Sequence, residues 1–232
     1  MHVVVPLAGP DFERADGLTK AEVPIGGEPL LRMMIESRPW WRDGTVNSHD
    51  FTFVLRDSRL SRSFQEKTLV RWYPDSKVVF LGGMTLGAAL SALAGVSLVC
   101  KPEEPLCVDL ADILYDAAPG IPAFPESLGV AAKALVFKSD NPAYSYLRVD
   151  RAGEVVEVAE KRVISEYASA GTYFFADVAT YLSALGHNLR NPRNVTYRGA
   201  FYVAPILQGI IDAGQRVALS PVNLVFDPKS EA

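Results

Sequence analysis

The residues of this chain that could do chemistry begin in the loop after its first apolar run, HVVVP. The loop reads LAGPDFERADGLTKAEVPIGGEPLL. It combines Gly9, where the backbone can approach a ligand, with the cations Arg14 and Lys20. Open α/β sheets bind ligands at the carboxyl ends of parallel strands, and backbone N–H groups with nearby cations suit phosphate. The loop therefore indicates a phosphate-binding site, although an ordinary connection has the same pattern.

Carboxylates near the end of an apolar run form a second group of candidates. Asp112 ends the run PLCVDLAD, where it would lie at the ligand-binding edge of a sheet. A carboxylate there is a good ligand for a hard divalent cation, and its alternative role is to cap a following helix. Asp109 lies inside the run and must be paired, either as a second metal ligand or as a structural hydrogen-bond acceptor.

The second half of the chain adds charged and aromatic candidates. Glu160 and Lys161 end the alternating run EVVEVA, and a regular strand would direct their side chains to opposite faces. They belong either to a binding site or to a solvated strand end. Tyr144, Tyr146 and Tyr173 lie in predicted strands and either line a pocket or belong to the core. The three histidines are isolated and show no metal-ligand spacing.

Alternating strands and helices must position these residues. Short apolar runs and apolar positions at mixed i+3 and i+4 spacing predict an α/β fold, with a mostly parallel mixed sheet flanked by helices. The predicted strands are HVVVPLAG, FTFVLR, KVVFLG, VSLVCK, PLCVDLAD, AAKALVFKS, YSYLRVD, EVVEVAEKRV, ASAGTYFF and one after Gly214. The predicted helices are EPLLRMMIESRPWW, RSFQEKTLVRWY, TLGAALSALAG, DVATYLSALGHNL and one that stops at Gly214. VDRAGEVV predicts a hairpin turn with Asp150 and Gly153.

Length and composition limit the classes of protein. With 232 residues, no internal repeat and no linker, the chain is expected to form a single domain, 1–232. A net charge of −4 argues against a nucleic-acid polymer as partner. The uncharged stretch from Val78 to Cys100 is punctuated by glycines, so no membrane span is predicted. Cys100 and Cys107 are expected to be buried, reduced thiols, and with no signal peptide recognised they favour a cytoplasmic location.

Several motifs together resemble one family. LAG followed by TKAEVPIGGEPLL resembles the LAG(G)xGxR…PKPLVPVGGKPLL signature of sugar-nucleotide pyrophosphorylases and their cytidylyltransferase relatives. TLGAALSAL, PLCVDLAD and VVEVAEKRVISEYASAGTYFF are similar to the family's base-binding turn, metal-binding strand end and acceptor-binding segment. RGAFYVAPILQGIIDAGQRV resembles the NGEFYVAPVYNxLIxxG stretch of the capsule-biosynthesis branch. The order holds over nearly the whole chain and implies a Rossmann-like fold of the GT-A type.

The resemblance also implies roles for individual residues. It implies a nucleotide-binding half, 1–117, and an acceptor-binding half, 118–232. The nucleotide residues implied are Leu7, Ala8, Gly9, Gly87 and Ala88. The acceptor residues implied are Glu160, Lys161, Gly171, Tyr146 and Arg198. The catalytic cations implied are Lys20, Arg14 and Lys161, and the Mg²⁺ ligands are Asp112 and Asp227, although a solvated tail residue is the alternative for Asp227.

The implied reaction is nucleotidyl transfer from a nucleoside triphosphate to a phosphorylated small molecule, with release of pyrophosphate, in surface-polysaccharide precursor synthesis. The chain departs from the family at PDFER, which replaces GxGxR and brings Asp11 and Glu13 near the expected triphosphate. Two alternatives therefore stay open. One is an inactive regulatory homologue that binds a nucleotide or sugar, and the other is a metal-dependent glycosyltransferase. Trp40 and Trp41 predict an exposed homodimer contact.

Overall fold

The computed structural model of the chain describes residues 1–118, 129–192 and 195–228. The strands in chain order are β1 His2–Pro6, β2 Pro24–Ile25, β3 Glu28–Pro29, β4 Phe51–Arg56, β5 Lys77–Leu81, β6 Leu106–Asp109, β7 Leu114–Asp116, β8 Val130–Lys138, β9 Ser145–Val149, β10 Val155–Glu160, β11 Tyr167–Phe175, β12 Thr196–Tyr197, β13 Ala200–Phe201, β14 Arg216–Pro221 and β15 Asn223–Phe226. The α-helices are α1 Leu30–Glu36, α2 Pro39–Arg42, α3 Arg59–Phe64, α4 Val70–Trp72, α5 Ala88–Val96, α6 Val178–Arg190 and α7 Ile206–Asp212.

One mixed sheet forms the centre of the molecule. Its first half is parallel, in the order β6-β1-β4-β5, as the first half of the sequence predicts. Strand β11 then pairs antiparallel with β6 and continues the sheet to β8, β9 and β10, while β14 runs parallel to β8. The predicted α/β fold with a mixed sheet between helices is confirmed.

Alternating side chains of β1 supply two hydrophobic cores, one on each face of the sheet. Val3 and Val5 are buried on the face covered by α1 and α2, and Val4 is buried on the face covered by α5 and α6. Successive side chains of a strand point to opposite faces, so an entirely apolar strand is what a sheet covered on both sides requires. This burial fixes the strand whose end carries the first candidate loop.

The structure overturns a predicted strand and a predicted surface patch in the first half of the chain. VSLVCK does not form a strand, because residues after α5 keep turning: the N–H of Ser97 donates to the carbonyl of Leu93, and that of Val99 donates to Val96. Trp40 and Trp41 do not form an exposed patch. Trp40 is 1% exposed and its ring meets that of Phe174, so these tryptophans belong to the core rather than to a dimer contact.

The two cysteines differ, and the prediction that both are buried is wrong for Cys100, which is exposed. Burial raises the pKa of the Cys107 thiol, and the charge of Asp109 raises it further. We expect a thiol reagent to modify one cysteine of the native chain rapidly and the second only after unfolding. Titration with a chromogenic disulfide measures this ratio, and Cys100→Ser should abolish the rapid phase. Two rapid equivalents in the native chain would contradict the burial of Cys107.

No helix in the described ranges is long and apolar enough to cross a membrane. The hairpin predicted from VDRAGEVV joins β9 to β10. Its turn is closed by hydrogen bonds from the N–H groups of Ala152 and Glu154 to the Asp150 carboxylate, with Gly153 at a φ of 83°. Asp150 therefore stabilises the turn through its side-chain hydrogen bonds, and Gly153 supplies the positive φ that the turn requires.

Candidate functional site

A cavity of about 460 Å³ opens where the parallel strands β1 and β6 end. Its wall is formed by the loops that follow these strands, by the start of α5 and by parts of β10 and β11. The predicted site residues that the structure brings to this wall are Leu7, Ala8, Gly9, Lys20, Gly87, Ala88, Asp112, Glu160, Lys161 and Gly171. Residues from both halves of the chain thus share one concave site, as ligand sites of α/β sheets commonly do.

Gly87 lies where the start of α5 meets a neighbouring strand. The N–H of Phe201 donates to the carbonyl of Leu86 at 2.7 Å, which brings the backbone of β13 against this turn. Gly87 has a φ of 112°, and a Cβ there would lie 2.3 Å from the carbonyl oxygen of Phe201. Thr85 fixes the turn by donating its hydroxyl to the carbonyl of Gly87 at 3.0 Å. This part of the wall therefore requires glycine.

Lys20 reaches the cavity from a short 3-10 helix, Lys20–Glu22. The preceding Thr19 donates its N–H and its hydroxyl to the Glu22 carboxylate, which closes the turn. The ammonium of Lys20 forms an ion pair with Asp11 at 2.7 Å. A cation and its partner carboxylate both lie in the wall, so an anionic ligand at Lys20 would compete with Asp11.

Glu13, the second carboxylate of the PDFER loop, is held by residues outside the cavity. It forms an ion pair with Arg56 at 2.6 Å and accepts hydrogen bonds from the hydroxyls of Ser58 and Ser61. Partial burial raises the pKa of Glu13, but the hydrogen bonds from Ser58, Arg56 and Ser61 lower it more, so the group stays ionised. Of the two carboxylates that this loop introduces, only Asp11 lines the cavity.

Asp112 lies in the wall directly beside Gly171. Gly171 has a φ of 76° at an irregularity of β11, where the pairing with β8 shifts register. A Cβ on Gly171 would lie 2.8 Å from Oδ1 of Asp112. The carbonyl of Gly171 accepts a hydrogen bond from the N–H of Leu110 at 2.9 Å, so the bulge and the Asp112 loop are fastened together. The predicted helix-capping role of Asp112 is wrong, because β7 follows this loop.

A buried ion pair holds the segment on either side of Asp112. Asp109 is 2% exposed and Arg38 1%, and the guanidinium donates to both carboxylate oxygens at 2.8 and 3.1 Å. Arg38 also donates to the carbonyl of Ile113, and Asp109 accepts the N–H of Ala111 at 2.8 Å. Burial lowers the pKa of Arg38, but the charges of Asp109 and Tyr115 and the hydrogen bonds to Asp109 together raise it above its ordinary value. Asp109 is therefore a structural acceptor, the second of its predicted roles.

Asp227 is buried, which contradicts its alternative role as a solvated tail residue. Its carboxylate accepts a hydrogen bond from the hydroxyl of Tyr144, which lines the cavity. Burial raises the pKa of this phenol, the hydrogen bond and charge of Asp227 raise it further, and the charge of Asp112 adds to both. The negative charges of Asp112 and Asp227, the two predicted metal ligands, thus both raise the pKa of Tyr144.

Magnesium commonly binds to one or two carboxylates and completes its shell with water and substrate phosphates, and Asp112 offers one such carboxylate in the cavity wall. No group of three or more His, Cys, Asp or Glu side chains suited to a metal occurs within 1–118, 129–192 and 195–228. A site of this composition would therefore depend on oxygen atoms of the ligand as well as on the chain.

The strand end with Glu160 and Lys161 forms another part of the wall. Glu160 accepts a hydrogen bond from the hydroxyl of Ser145. The ammonium of Lys161 lies 5.1 Å from the ring centre of Tyr197 and 5.4 Å from that of Tyr202, which are cation–π distances. The predicted solvated strand end is wrong, because both residues line the cavity.

Four predicted residues do not line the cavity in the described structure, and one of them, Asp227, is joined to its wall through Tyr144. Arg14 is exposed and pairs with Asp16 at 2.8 Å. Tyr146 is fully buried in the core and donates its hydroxyl to the carbonyl of Asn141, which decides between its two predicted roles. Arg198 is exposed in the turn between β12 and β13, with its guanidinium 5.4 Å from the ring centre of Tyr197.

Sequence reasoning also missed Arg38, whose only signal was the need of Asp109 for a buried partner.

The chain matches no protein-family model and no curated protein, but its fold occurs in solved structures. It is similar to a nucleoside-diphosphate-sugar pyrophosphorylase from Vibrio cholerae RC9, with a TM-score of 0.79 and 21% identity over 99% of this chain and 97% of that one. It is also similar to the inositol-1-phosphate CTP transferase from T. maritima, with a TM-score of 0.70 and 17% identity over 98% and 90% of the two chains.

A third similar structure, from Bacillus anthracis, is described as a glucose-1-phosphate thymidylyltransferase in complex with a sucrose, with a TM-score of 0.68 and 14% identity over 97% and 88% of the chains. All three similarities extend over nearly the whole of this chain. The chain therefore has the α/β fold that these nucleotidyltransferase structures share, as the motif resemblance implies.

Gly171→Ala tests the close approach of β11 to Asp112. We expect a loss in the free energy of unfolding that exceeds about 1–2 kcal/mol, the ordinary cost of a left-handed alanine, because Asp112 must also move. Gly153→Ala is the matched control, since Gly153 has a φ of 83° but no atom within 4 Å of its Cβ position. Urea denaturation of both variants measures the difference, and equal losses would contradict a contact at Gly171.

Proposed function

We propose that the chain transfers a nucleoside monophosphate from a nucleoside triphosphate to a phosphorylated small molecule and releases pyrophosphate. The observation that carries this proposal is the composition of the cavity wall, in which Lys20, Asp112 and Lys161 occur together. Lys20 and Lys161 are the cationic side chains of that wall among the described residues, and they come from different halves of the chain. Two anionic substrates that must meet need such an arrangement.

The reaction requires little covalent chemistry from the protein. An oxygen of the acceptor phosphate attacks the α-phosphorus of the triphosphate, a new P–O bond forms, and the bond from the α-phosphorus to the bridging oxygen of pyrophosphate breaks. The attacking oxygen is already anionic, so no strong general base is needed. We assign Lys20 to the triphosphate and Lys161 to the acceptor phosphate, where each offsets charge repulsion between the substrates. Arg14 remains a proposed third cation, although its ion pair with Asp16 keeps it outside the wall.

The remaining wall residues receive binding roles in this proposal. Leu7, Ala8 and Gly9 would contact the base and ribose, with Gly87 and Ala88 on the other side of the base. Asp112 in the wall and Asp227, which is hydrogen-bonded to the wall residue Tyr144, would hold Mg²⁺, which would neutralise phosphate charge. Glu160 and the backbone at Gly171 would bind the acceptor. The proposed division into a nucleotide half, 1–117, and an acceptor half, 118–232, follows from these roles.

The wider setting is also part of the proposal. The similarity of RGAFYVAPILQGIIDAGQRV to the capsule-biosynthesis branch supports a role in making precursors of a surface polysaccharide. Such precursors are made from nucleoside triphosphates, so we propose a cytoplasmic enzyme. We also propose a homodimer. Its contact would not be formed by Trp40, which is buried in the core.

Pyrophosphate release with magnesium tests the function. A matrix of the common nucleoside triphosphates against sugar phosphates and phosphocholine should give release that depends on one nucleotide and one acceptor together. Asp112→Asn should abolish most of this release, whereas Asp116→Asn, an exposed carboxylate of β7, should leave it unchanged. Nucleotide binding without any release would favour the regulatory homologue, and sugar transfer from a nucleotide sugar would favour the glycosyltransferase.

A further inference from the structure

Two cations meet at one aromatic side chain beside the acceptor end of the cavity. The ammonium of Lys161 lies 5.1 Å and the guanidinium carbon of Arg198 5.4 Å from the ring centre of Tyr197. Tyr202, whose ring is 6.3 Å from that of Tyr197, contacts Lys161 and also lines the cavity. Lys161 is half-buried in the wall and Arg198 is exposed, so together they form a short cationic strip that leads from the cavity to its rim.

The two cations of this strip form no ion pair with any carboxylate in the described part of the chain. Other cations close to the site do. Lys20 pairs with Asp11, and Arg162, the residue after Lys161, pairs with Glu157 at 2.9 Å. The nearest sequence neighbour, Glu160, accepts a hydrogen bond from Ser145 instead. The positive charge of the strip is therefore available to an anionic ligand.

The backbone presents both cations in an unusual conformation. Lys161 and Arg198 each have a φ of 51°, a left-handed conformation that most residues other than glycine avoid. Arg198 and Gly199, with a φ of 77°, form the two-residue turn between β12 and β13, where asparagine or glycine is preferred in the first position. The N–H of Lys161 donates to the carbonyl of Tyr144, which fixes the other cation. The backbone conformation of this turn therefore does not explain why an arginine occupies position 198.

We propose that the acceptor is a phosphorylated small molecule with a second anionic group, either a carboxylate or another phosphate. This inference rests on the proposed function, because it assigns the reacting phosphate to Lys161 and the second anion to Arg198. A neutral sugar phosphate would use only the first cation. An acceptor with a cationic group would meet repulsion from Arg198 at the rim.

Binding of matched sugar phosphates tests the inference without requiring turnover. Calorimetry in the presence of magnesium and a non-hydrolysable triphosphate would compare glucose 1-phosphate with glucuronate 1-phosphate and with glucose 1,6-bisphosphate. We expect at least one of the two acidic ligands to bind about tenfold more tightly than glucose 1-phosphate. Which one does so separates a carboxylate from a second phosphate. The preference should decrease with ionic strength, because Arg198 is exposed.

The variant Arg198→Gln should remove this preference by lowering the affinity for the favoured acidic ligand to about that for glucose 1-phosphate. Arg151→Gln is the matched control, since Arg151 is also an exposed arginine in a hairpin turn but lies between β9 and β10. Equal binding of all three ligands, no binding of either acidic ligand, or a preference that survives in Arg198→Gln would overturn the inference. Turnover of a neutral acceptor that Arg198→Gln does not affect would support the proposed function and contradict the inference about the second anion. A preference without pyrophosphate release would support binding of a second anion at Arg198 and contradict the transferase.

Discussion

Replacing Arg38 with methionine is expected to lower the free energy of unfolding by about 3–5 kcal/mol. The variant would leave Asp109, 2% exposed, as a buried carboxylate without its cation. It would also remove the donors to the carbonyl of Ile113, which follows Asp112 directly. Urea denaturation followed by tryptophan fluorescence measures the loss, and Trp40 in the same core reports on it.

Two controls separate the ion pair from the loss of a long side chain. Arg42→Met, at an exposed arginine in the next turn, should change the free energy of unfolding by less than about 0.5 kcal/mol. Arg38→Met combined with Asp109→Leu should recover much of the stability, because no uncompensated charge is then buried. A loss below about 1 kcal/mol in Arg38→Met would mean that the pair does not hold the Asp112 loop.

The elements that position the cavity could be predicted where a short pattern has only one physical solution. An apolar run such as HVVVP can be satisfied only by burial on both faces, and the structure buries Val3, Val4 and Val5 accordingly. Gly9 could be placed from its position in the loop after the first apolar run, whereas Gly87 and Gly171 were placed by the resemblance of their motifs to a known family. Local patterns and the resemblance together named residues of the wall from both halves of the chain.

The parts that could not be predicted depend on contacts between distant segments. Arg38 and Asp109 are 71 residues apart, and nothing near Arg38 in the sequence indicates that it is buried. Tyr144 and Tyr146 lie close together in the sequence, yet Tyr144 lines the cavity whereas Tyr146 is buried in the core and donates to the carbonyl of Asn141. The register of β11 between β6 and β8 is likewise a tertiary feature, so the approach of Gly171 to Asp112 was outside the reach of local patterns.

The catalytic prediction with the largest effect concerns Lys20. Lys20→Met is expected to lower kcat/KM for pyrophosphate release by about 10²–10³, because it removes the proposed cation for the triphosphate. The fold should be nearly unaffected, since the side chains of Lys20 and Asp11 are 28% and 67% exposed and such pairs contribute about 0–1 kcal/mol. Lys67→Met, at an exposed lysine outside the cavity, is the matched control. Steady-state kinetics with the substrates found in the matrix measures the loss.

Asp11→Asn shows which ligand Lys20 serves. Asp11 neutralises Lys20 across 2.7 Å, so a triphosphate must replace this carboxylate before it can use the cation. Removing the competing charge should lower KM for the triphosphate severalfold with little change in kcat, and the effect should vanish when Lys20→Met is also present. If Asp11→Asn instead abolished activity, Asp11 would contribute directly to binding the metal or the substrate. If Lys20→Met left kcat/KM unchanged, the loop after β1 would not bind the triphosphate through Lys20. Lys161 would then have to supply the positive charge at the reacting phosphate.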